Sequence, residues 1–595
     1  MKENIFDLVA EKARQHPKRE LFRFRKGNSQ EYGSMNWEEM SNSCHQVSRA
    51  LLSLGIGPGS KVGIFSENCP QWLIADIGIL GIRAVSVPLY ATSSAYLLDM
   101  IAAETEMSML FAGNQEQYEK AVHLQQQTHS LKYIVVFDVD VPLVNESSMH
   151  WKQFLSLDKE NAFQSKQSGI LEESKPDDLV TIIYTSGTTG DSKGVMLTHA
   201  TFFYTFKIHD ERLLVTEADV SLSFLPLSHV FERLWSYYML YHSAVNVFIN
   251  NPRDVIVQMS RVRPTVMCTV PRFFEKTREG IELEMVKWPA IKRSIFQWSV
   301  KTGMHFSEYL SKGQNPPLGI SMKRAVANLL VLKKLRGIFG GNIRFMPCAG
   351  AAVNPSLLRF FHAAGIFVNY GYGATETSAT VSCFRSDRYD LDTCGTIMPG
   401  IEVKISDSGE ILIKGKNTFT GYYRQPEESA KSLADGWYHS GDIGYINAQG
   451  DLVMTDRMKE LIKTSGGKFV STQKIELLLT QDPCIDQTVV FGEKRKFVSA
   501  LIVPSFEILK AEVTAMGIAW TNPEEILKKK EVIEFYAKRI DNIQKDFLPY
   551  EKVIKFLLVA EPFTIQNGLL TNTLKIKRSL LEERYRMQIE SMYSA

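Results

Sequence analysis

The run Leu179-Val-Thr-Ile-Ile-Tyr184 passes without a break into Thr185-Ser186-Gly187-Thr188-Thr189-Gly190-Asp191-Ser192-Lys193-Gly194. Its first half, rich in β-branched and aromatic side chains, reads as a buried strand. The loop that follows holds three glycines, a series of hydroxyls and one lysine. Small residues let backbone N–H groups close on phosphate oxygens, hydroxyls add donors, and Lys193 brings positive charge. The loop is not a Walker A sequence: GxxxxGK[ST] fails at the glycine spacing and at the residue after Lys193. A strand leading straight into such a loop predicts a phosphate cradle rather than a flexible linker.

Around it, short apolar runs alternate with helix-length segments. Lys61–Phe65 precedes the helical pattern Pro70–Gly81, and Ala84–Val87 follows; similar runs are Tyr133–Phe137, Val245–Ile249 and Thr265–Thr269. This alternation predicts α/β architecture with parallel sheets. After Gly400 the texture changes. Asp407-Ser-Gly409 sits between Val403–Ile405 and Ile411–Ile413, and Asn447–Gly450 precedes Asp451–Met454, both reading as turns of a β-rich region. From about Asp456 a smaller α+β region is expected, with a helix begun by Asn522 as cap, Pro523 at its first position and Glu525 placed for a capping box. The predicted division is a large N-terminal domain, 1–455, and a C-terminal lid, 456–595, with the hinge near Asp456.

A chain of 595 residues exceeds one ordinary core. Hydrophobic residues at 44% and charged residues at 23% fit a globular protein, and a net charge of +2 argues against a nucleic-acid binder. Seven scattered cysteines without CxxC spacing fit a reducing compartment and offer no zinc site. The start, Met1-Lys2-Glu3-Asn4-Ile5-Phe6, lacks a signal-peptide pattern, and the uncharged run Leu234–Pro252 carries too many polar residues for a membrane span. That run is expected to be a buried helix followed by a strand, and the protein to be cytoplasmic. Segment 275–336 is helical in pattern and holds twelve Lys/Arg against five Glu, with Trp288, Phe296 and Trp298 among them. It reads either as a solvated insertion or as a surface for peripheral contact with anionic lipid at the inner face of a membrane.

YTSGTTGDSKGV resembles the phosphate-binding signature of the adenylate-forming superfamily, which includes acyl-CoA synthetases, luciferases and adenylation domains. Further motifs follow in the family's order from about Phe6 to Arg578. They are Leu225-Pro-Leu-Ser-His229-Val-Phe-Glu-Arg233, Asn369-Tyr-Gly-Tyr372-Gly-Ala-Thr375-Glu376 and Trp437-Tyr-His-Ser-Gly441-Asp442. Asp456-Arg457-Met-Lys-Glu-Leu-Ile-Lys463 and Asn567-Gly-Leu-Leu-Thr-Asn-Thr-Leu-Lys575-Ile-Lys-Arg578 complete the series.

What the resemblance implies is an ATP site. The loop Thr185, Ser186, Gly187, Thr188, Thr189, Gly190 and Lys193 would hold the phosphates. Gly350, Ala351, Tyr370, Gly371, Tyr372 and Thr375 would surround adenine, with Tyr372 as its aromatic face. Asp442 and Arg457 would bind ribose and phosphate oxygens. Glu376 and Thr185 would give Mg²⁺ hard oxygen ligands. Lys575 would neutralise charge as a carboxylate attacks the α-phosphate. His229 would line the path shared by acyl chain and pantetheine, although a lone His among apolar residues also reads as an ordinary core residue. Trp235 and Tyr238 are expected at the acyl pocket or in the core, and Lys463 and Gly466 near coenzyme A.

The chain departs from the family at three places. Asn572 and Leu574 replace the usual proline and glycine before the lysine, Ser471-Thr472-Gln473 lacks a common proline, and Gly-Gly-Ala becomes Ala349-Gly350-Ala351-Ala352. LPLSHVFER, Val270–Lys276 and the ending NGLLTNTLKIKR look like the long-chain fatty acyl-CoA synthetase branch. The implied substrates are a fatty acid, ATP and coenzyme A. Transfer to a carrier-protein thiol, and a non-catalytic uptake or tethering protein, are the alternatives.

Overall fold

The computed structural model describes residues 3–25, 31–158, 160–185, 192–458, 461–564, 566–571 and 576–594. The strand Leu179–Thr185 belongs to a seven-stranded sheet. Its order is Ser148–His150, Tyr133–Val136, Met109–Ala112, Lys61–Phe65, Val85–Leu89, Leu179–Thr185, Lys193–Thr198. Neighbours are parallel except the last two, which form a hairpin with Thr185 opposite Lys193. Both ends of the phosphate-loop sequence are thereby pinned side by side at one edge of the sheet.

A second sheet orders Val220–Ser223, Val245–Phe248, Glu20–Arg25 and Tyr32–Asn36, parallel up to the last pair. The run Leu234–Pro252 resolves as anticipated, a helix Val230–Tyr241 followed by the strand Val245–Phe248. The expected strand Thr265–Thr269 is not a strand. Val266 makes single bridges to Ser221 and Phe345, and Thr269 bridges Cys348. Its pairing is divided between two sheets, so the segment is the seam joining them and no continuous ladder forms. Beyond it lie Phe345–Cys348 and Phe367–Tyr372 in parallel, extended antiparallel by Ser382–Cys383 and Thr396–Ile397. The β-rich region is an antiparallel meander of Glu402–Ile405, Glu410–Lys414, Tyr438–Ile446 and Leu452–Arg457. Its turns use Gly409 and Gly450 at φ of 84° and 82°, a backbone region closed to most side chains.

The buried clusters fall into two sets. One uses residues up to Leu452; the other begins at Ile462 and covers both faces of a sheet made of Ile485–Phe491, Val498–Pro504 and Val553–Leu558. A large N-terminal and a separate C-terminal domain follow, each with its own core. In the latter, Asn522 caps through Oδ1 to the Glu525 N–H at 2.9 Å, but the helix is a single turn, Pro523–Ile526, before the longer Lys530–Ile543. The insertion consists of helices Pro271–Val286, Ala290–Ser311, Leu318–Ala327 and Lys333–Ile338.

One buried ion pair orders the centre of the large domain. Arg233, on Val230–Tyr241, donates through Nε and Nη2 to both oxygens of Asp76 on the apolar helix Pro70–Leu80, at 2.8 and 2.6 Å. Its Nη1 reaches Thr181 Oγ1 at 2.6 Å, on the strand that runs into the phosphate loop. Arg233 and Asp76 are both fully buried. Two-pronged geometry and the added hydroxyl offset the cost of desolvating both charges; removing one partner of such a pair typically costs ~3–5 kcal/mol.

Candidate active site

Tyr372 ends the strand Phe367–Tyr372, and its hydroxyl donates to Asp442. Asp442 is buried in Tyr438–Ile446, directly across the antiparallel register from Arg457 of Leu452–Arg457. The two side chains pair at 3.2 Å. Burial, with the Asp442 carboxylate beside it, pushes the Tyr372 phenol well above its ordinary range, so it stays a neutral donor. Three residues from separate motifs thus meet, forming a carboxylate with a cation on one side and an aromatic hydroxyl on the other.

A second group adjoins the first. Glu376 lies in the short 3₁₀ turn Thr375–Thr377 and accepts from the Tyr422 hydroxyl at 2.9 Å. Lys193 stands over the Tyr422 ring, 4.9 Å from its centroid, and pairs with Glu428. Tyr438 belongs to both groups: burial, with Glu376, Tyr422, Tyr372 and Asp442 acting on it, drives its phenol up. The sequence did not single out Tyr422, Glu428 or Tyr438. No motif marks Tyr422 or Glu428, and Tyr438 lies inside the quoted Trp437-Tyr-His-Ser-Gly441-Asp442 without a role of its own there.

The residues around Glu376 fit one mode of magnesium binding. Among the described residues no cluster of three or more His, Cys, Asp or Glu forms a metal cage. Mg²⁺ is commonly held by one or two carboxylates together with substrate phosphates, and a single Glu bonded to Tyr422, whose ring also carries Lys193, matches that donor set. Burial raises the Glu376 carboxyl above its usual range, a penalty that a neighbouring cation would relieve. Thr185 ends its strand at the same loop. Ser186, Gly187, Thr188, Thr189 and Gly190 lie outside the described residues.

Gly350 has φ of 91° just after Phe345–Cys348, and Tyr370 donates from its hydroxyl to the Ala351 carbonyl at 3.2 Å. A Cβ on Gly371 would fall 2.4 Å from the Ser382 carbonyl oxygen, so glycine is needed for the strand pairing itself. Thr375 is buried at the head of the turn that carries Glu376.

His229 is the N-cap of Val230–Tyr241, its Nδ1 accepting from the Phe231 N–H at 3.2 Å. That bond fixes the ring and leaves Nε2 as the donor nitrogen when the imidazole is neutral. The same helix buries Glu232, which accepts from the Leu225 N–H at 3.1 Å and from the Cys268 thiol at 3.3 Å. It ties the segment bearing His229 to the seam at Cys268. Trp235 and Tyr238 face the core with their polar atoms satisfied, Trp235 to Ser221 at 2.8 Å and Tyr238 to Asp210 at 2.7 Å.

Asp456 is buried in the last strand of the large domain, one residue before Arg457. Lys463 and Gly466 are exposed on the hairpin Leu461–Lys463 and Phe469–Ser471. Lys575 lies outside the described residues, as do Asn572 and Leu574, but the ends of its segment are anchored. Leu570 bridges Ile576, and Arg578 donates to Glu476 at 2.7 Å and to Thr472 Oγ1 at 2.9 Å. Thr472, one of the departures from the family, therefore supplies a hydroxyl acceptor to the lysine motif that proline cannot provide.

This fold and clustering define an adenylate-forming enzyme architecture. The sequence matches the AMP-binding enzyme family over residues 9–423 and the AMP-binding enzyme C-terminal domain over 459–595. The chain belongs to the AMP-binding enzyme family. Among curated relatives, the long-chain-fatty-acid–CoA ligase FadD15 of Mycobacterium tuberculosis is 31% identical, over 93% of this chain and 92% of the relative. Long chain acyl-CoA synthetase 1 of Arabidopsis thaliana is 30% identical, over 99% of this chain and 92% of its own. Among solved structures, the anthranilate CoA ligase AuaEII with anthranoyl-AMP superposes with a TM-score of 0.73 at 18% identity, covering 99% of this chain and all of that one. The A domain of a carboxylic acid reductase from Segniliparus rugosus gives 0.74 at 20% identity, covering 99% and 93%. At those identities the structures speak for the fold.

Proposed function

We propose that this protein is an AMP-forming ligase that activates a long-chain fatty acid with ATP and passes the acyl group to coenzyme A. The observation that carries the reading is the meeting of Tyr372, Asp442 and Arg457 beside Glu376 and Lys193, in a chain about 30% identical to several long-chain acyl-CoA ligases over nearly its full length. Adenine would lie against Tyr372, and the ribose hydroxyls would donate to Asp442, held in place by Arg457. Lys193 and the loop N–H groups would take the triphosphate. Magnesium, where bound, would neutralise phosphate charge; Glu376 and Thr185 are the residues that would hold it.

The fatty carboxylate attacks the α-phosphorus, an acyl–O–P bond forms as the bond to pyrophosphate breaks. Lys575 offsets the charge gathered there. The thiol of coenzyme A then attacks the acyl carbon and AMP leaves. His229 and the helix behind it would border this path, Lys463 and Gly466 would face coenzyme A, and the hinge at Asp456 would let the lid serve the two steps in turn.

Chain-length dependence tests the substrate class. A buried methylene is worth up to ~0.8 kcal/mol, so kcat/KM should rise steeply from acetate to acids of roughly fourteen to eighteen carbons. Equal values for acetate and palmitate would refute the long-chain assignment.

A further inference from the structure

Among the described residues, the helical insertion exposes more large apolar side chains than any other stretch of comparable length. Of twenty-six large apolar side chains exposed among the described residues, ten lie between Val286 and Leu330. They are ordered. Ile291, Ile295 and Trp298 recur at i, i+4 and i+7 of Ala290–Ser311, and Leu318, Met322 and Val326 at i, i+4 and i+8 of Leu318–Ala327. Such spacing makes one face of a helix, ordinarily turned to a core. Here it faces solvent, with Leu318 79% and Ile291 76% exposed.

The other side of Ala290–Ser311 is already occupied. Gly303 lies so close to helix Pro355–Ala364 that a Cβ would stand 2.3 Å from the Ala363 carbonyl oxygen, and the Phe296 ring meets Phe360 at 6.4 Å. The helix Leu318–Ala327 packs on Ala290–Ser311 in turn. Neither helix is free to roll its apolar face inward, so that face is built for something outside the domain.

Charge identifies what. From Lys287 to Arg336 there are ten basic residues and one acidic residue, Glu308. Lys292, Arg293, Lys301, Lys312, Lys323 and Lys334 are exposed, and none forms an ion pair among the described residues. A second copy docked about a two-fold axis would set this positive surplus against itself. A nucleic acid would take the lysines and leave the aliphatic face in water.

We infer that the outer face of helices Ala290–Ser311 and Leu318–Ala327 docks on an anionic lipid bilayer. The aliphatic side chains and Trp298 enter the acyl boundary while the long basic side chains reach back to the headgroup phosphates. The inference stands apart from the ligase reading, because vesicle binding requires no turnover.

Cosedimentation of the full-length protein with vesicles tests it, comparing phosphatidylcholine alone with a mixture containing about a third phosphatidylglycerol. Binding to the anionic vesicles is expected at low salt. Each basic residue near the surface contributes about fivefold, so Lys292→Gln with Lys323→Gln should lower partitioning by about 25-fold, a difference that shrinks as salt screens it. Leu318→Ser with Met322→Ser, unchanged in charge, should lower it at least ~10-fold. All four positions are exposed, and unchanged melting temperatures would show that folding is intact. Failure of the wild type to bind anionic vesicles, or equal binding by both variants, overturns the inference. So does a dimer that ignores vesicles and is lost in the Leu318/Met322 variant, which would assign the face to a second copy.

Discussion

Arg272 and Asp486 form an ion pair at 2.9 Å between the two domains: Arg272 begins helix Pro271–Val286, and Asp486 lies in strand Ile485–Phe491 of the C-terminal sheet. Lys276 adds a second contact to the same carboxylate at 3.2 Å. Burial works against the Asp486 carboxylate, yet the charge of Arg272 holds its pKa below the usual range. The bond therefore favours the present arrangement of lid and large domain. If the lid serves two steps in turn, this contact must break once per cycle. Asp486→Asn should shift the ratio of the two half-reaction rates by about fivefold, the worth of ~1 kcal/mol from a partly exposed pair. Single-turnover measurements of adenylate formation and thioester formation check it; equal changes in both would show a purely structural contact.

The Tyr422–Glu376 bond yields a second prediction. Glu376→Gln keeps the hydrogen bond from Tyr422 but removes the anion, so adenylate formation should fall by ~10²–10³. The magnesium concentration for half-maximal rate should rise as well. Tyr422→Phe keeps the carboxylate and should lose less than ~10-fold. A Glu376→Gln enzyme with unchanged magnesium dependence would remove Glu376 from the metal site.

Glu232 gives a signature in pH. Burial pushes its carboxyl from the ordinary 4.5 up to about 7, against the bonds it accepts from Leu225 and Cys268. Folding thus favours the protonated acid. The stabilisation is complete below about 4.5 and is lost as pH rises through about 7. Relative to wild type, Glu232→Gln should gain on the order of 2 kcal/mol between pH ~5 and pH ~8. Denaturant midpoints of both proteins at the two pH values measure it; parallel curves would mean that Glu232 ionises freely.

The strand entering the phosphate loop and the turns at Gly409 and Gly450 were legible in the sequence because each is written in local pattern, whereas the pairing of Asp442 with Arg457 follows from the strand register and appears only in the fold. Thr265–Thr269 was misread because its composition is that of a strand while its backbone partners are divided between two sheets, which no local pattern reports. Tyr422 and Glu428 were missed for a related reason: they reach Glu376 and Lys193 only through folding, from a segment whose aromatic and charged residues follow no site motif. The role of Thr472 as acceptor for Arg578 likewise depends on contact between residues 106 positions apart.

Lys575 separates the half-reactions in one direction. Its ammonium acts while the carboxylate and α-phosphate are brought together, so Lys575→Ala should lower adenylate formation by about 10²–10³. The variant should still convert supplied acyl-adenylate and coenzyme A to thioester. Lys577→Ala, whose backbone N–H merely bonds the Leu569 carbonyl, should remain near wild type. Loss of activity at Lys577 with Lys575 dispensable would show that the lysine motif is in another register.

The most direct test of the central claim is exchange of labelled pyrophosphate into ATP by the wild-type protein. A two-step ligase forms acyl-adenylate reversibly before any thiol is present. The account predicts exchange that requires palmitate and magnesium and proceeds without coenzyme A. Exchange that appears only when coenzyme A is added, or that ignores the fatty acid, would contradict it.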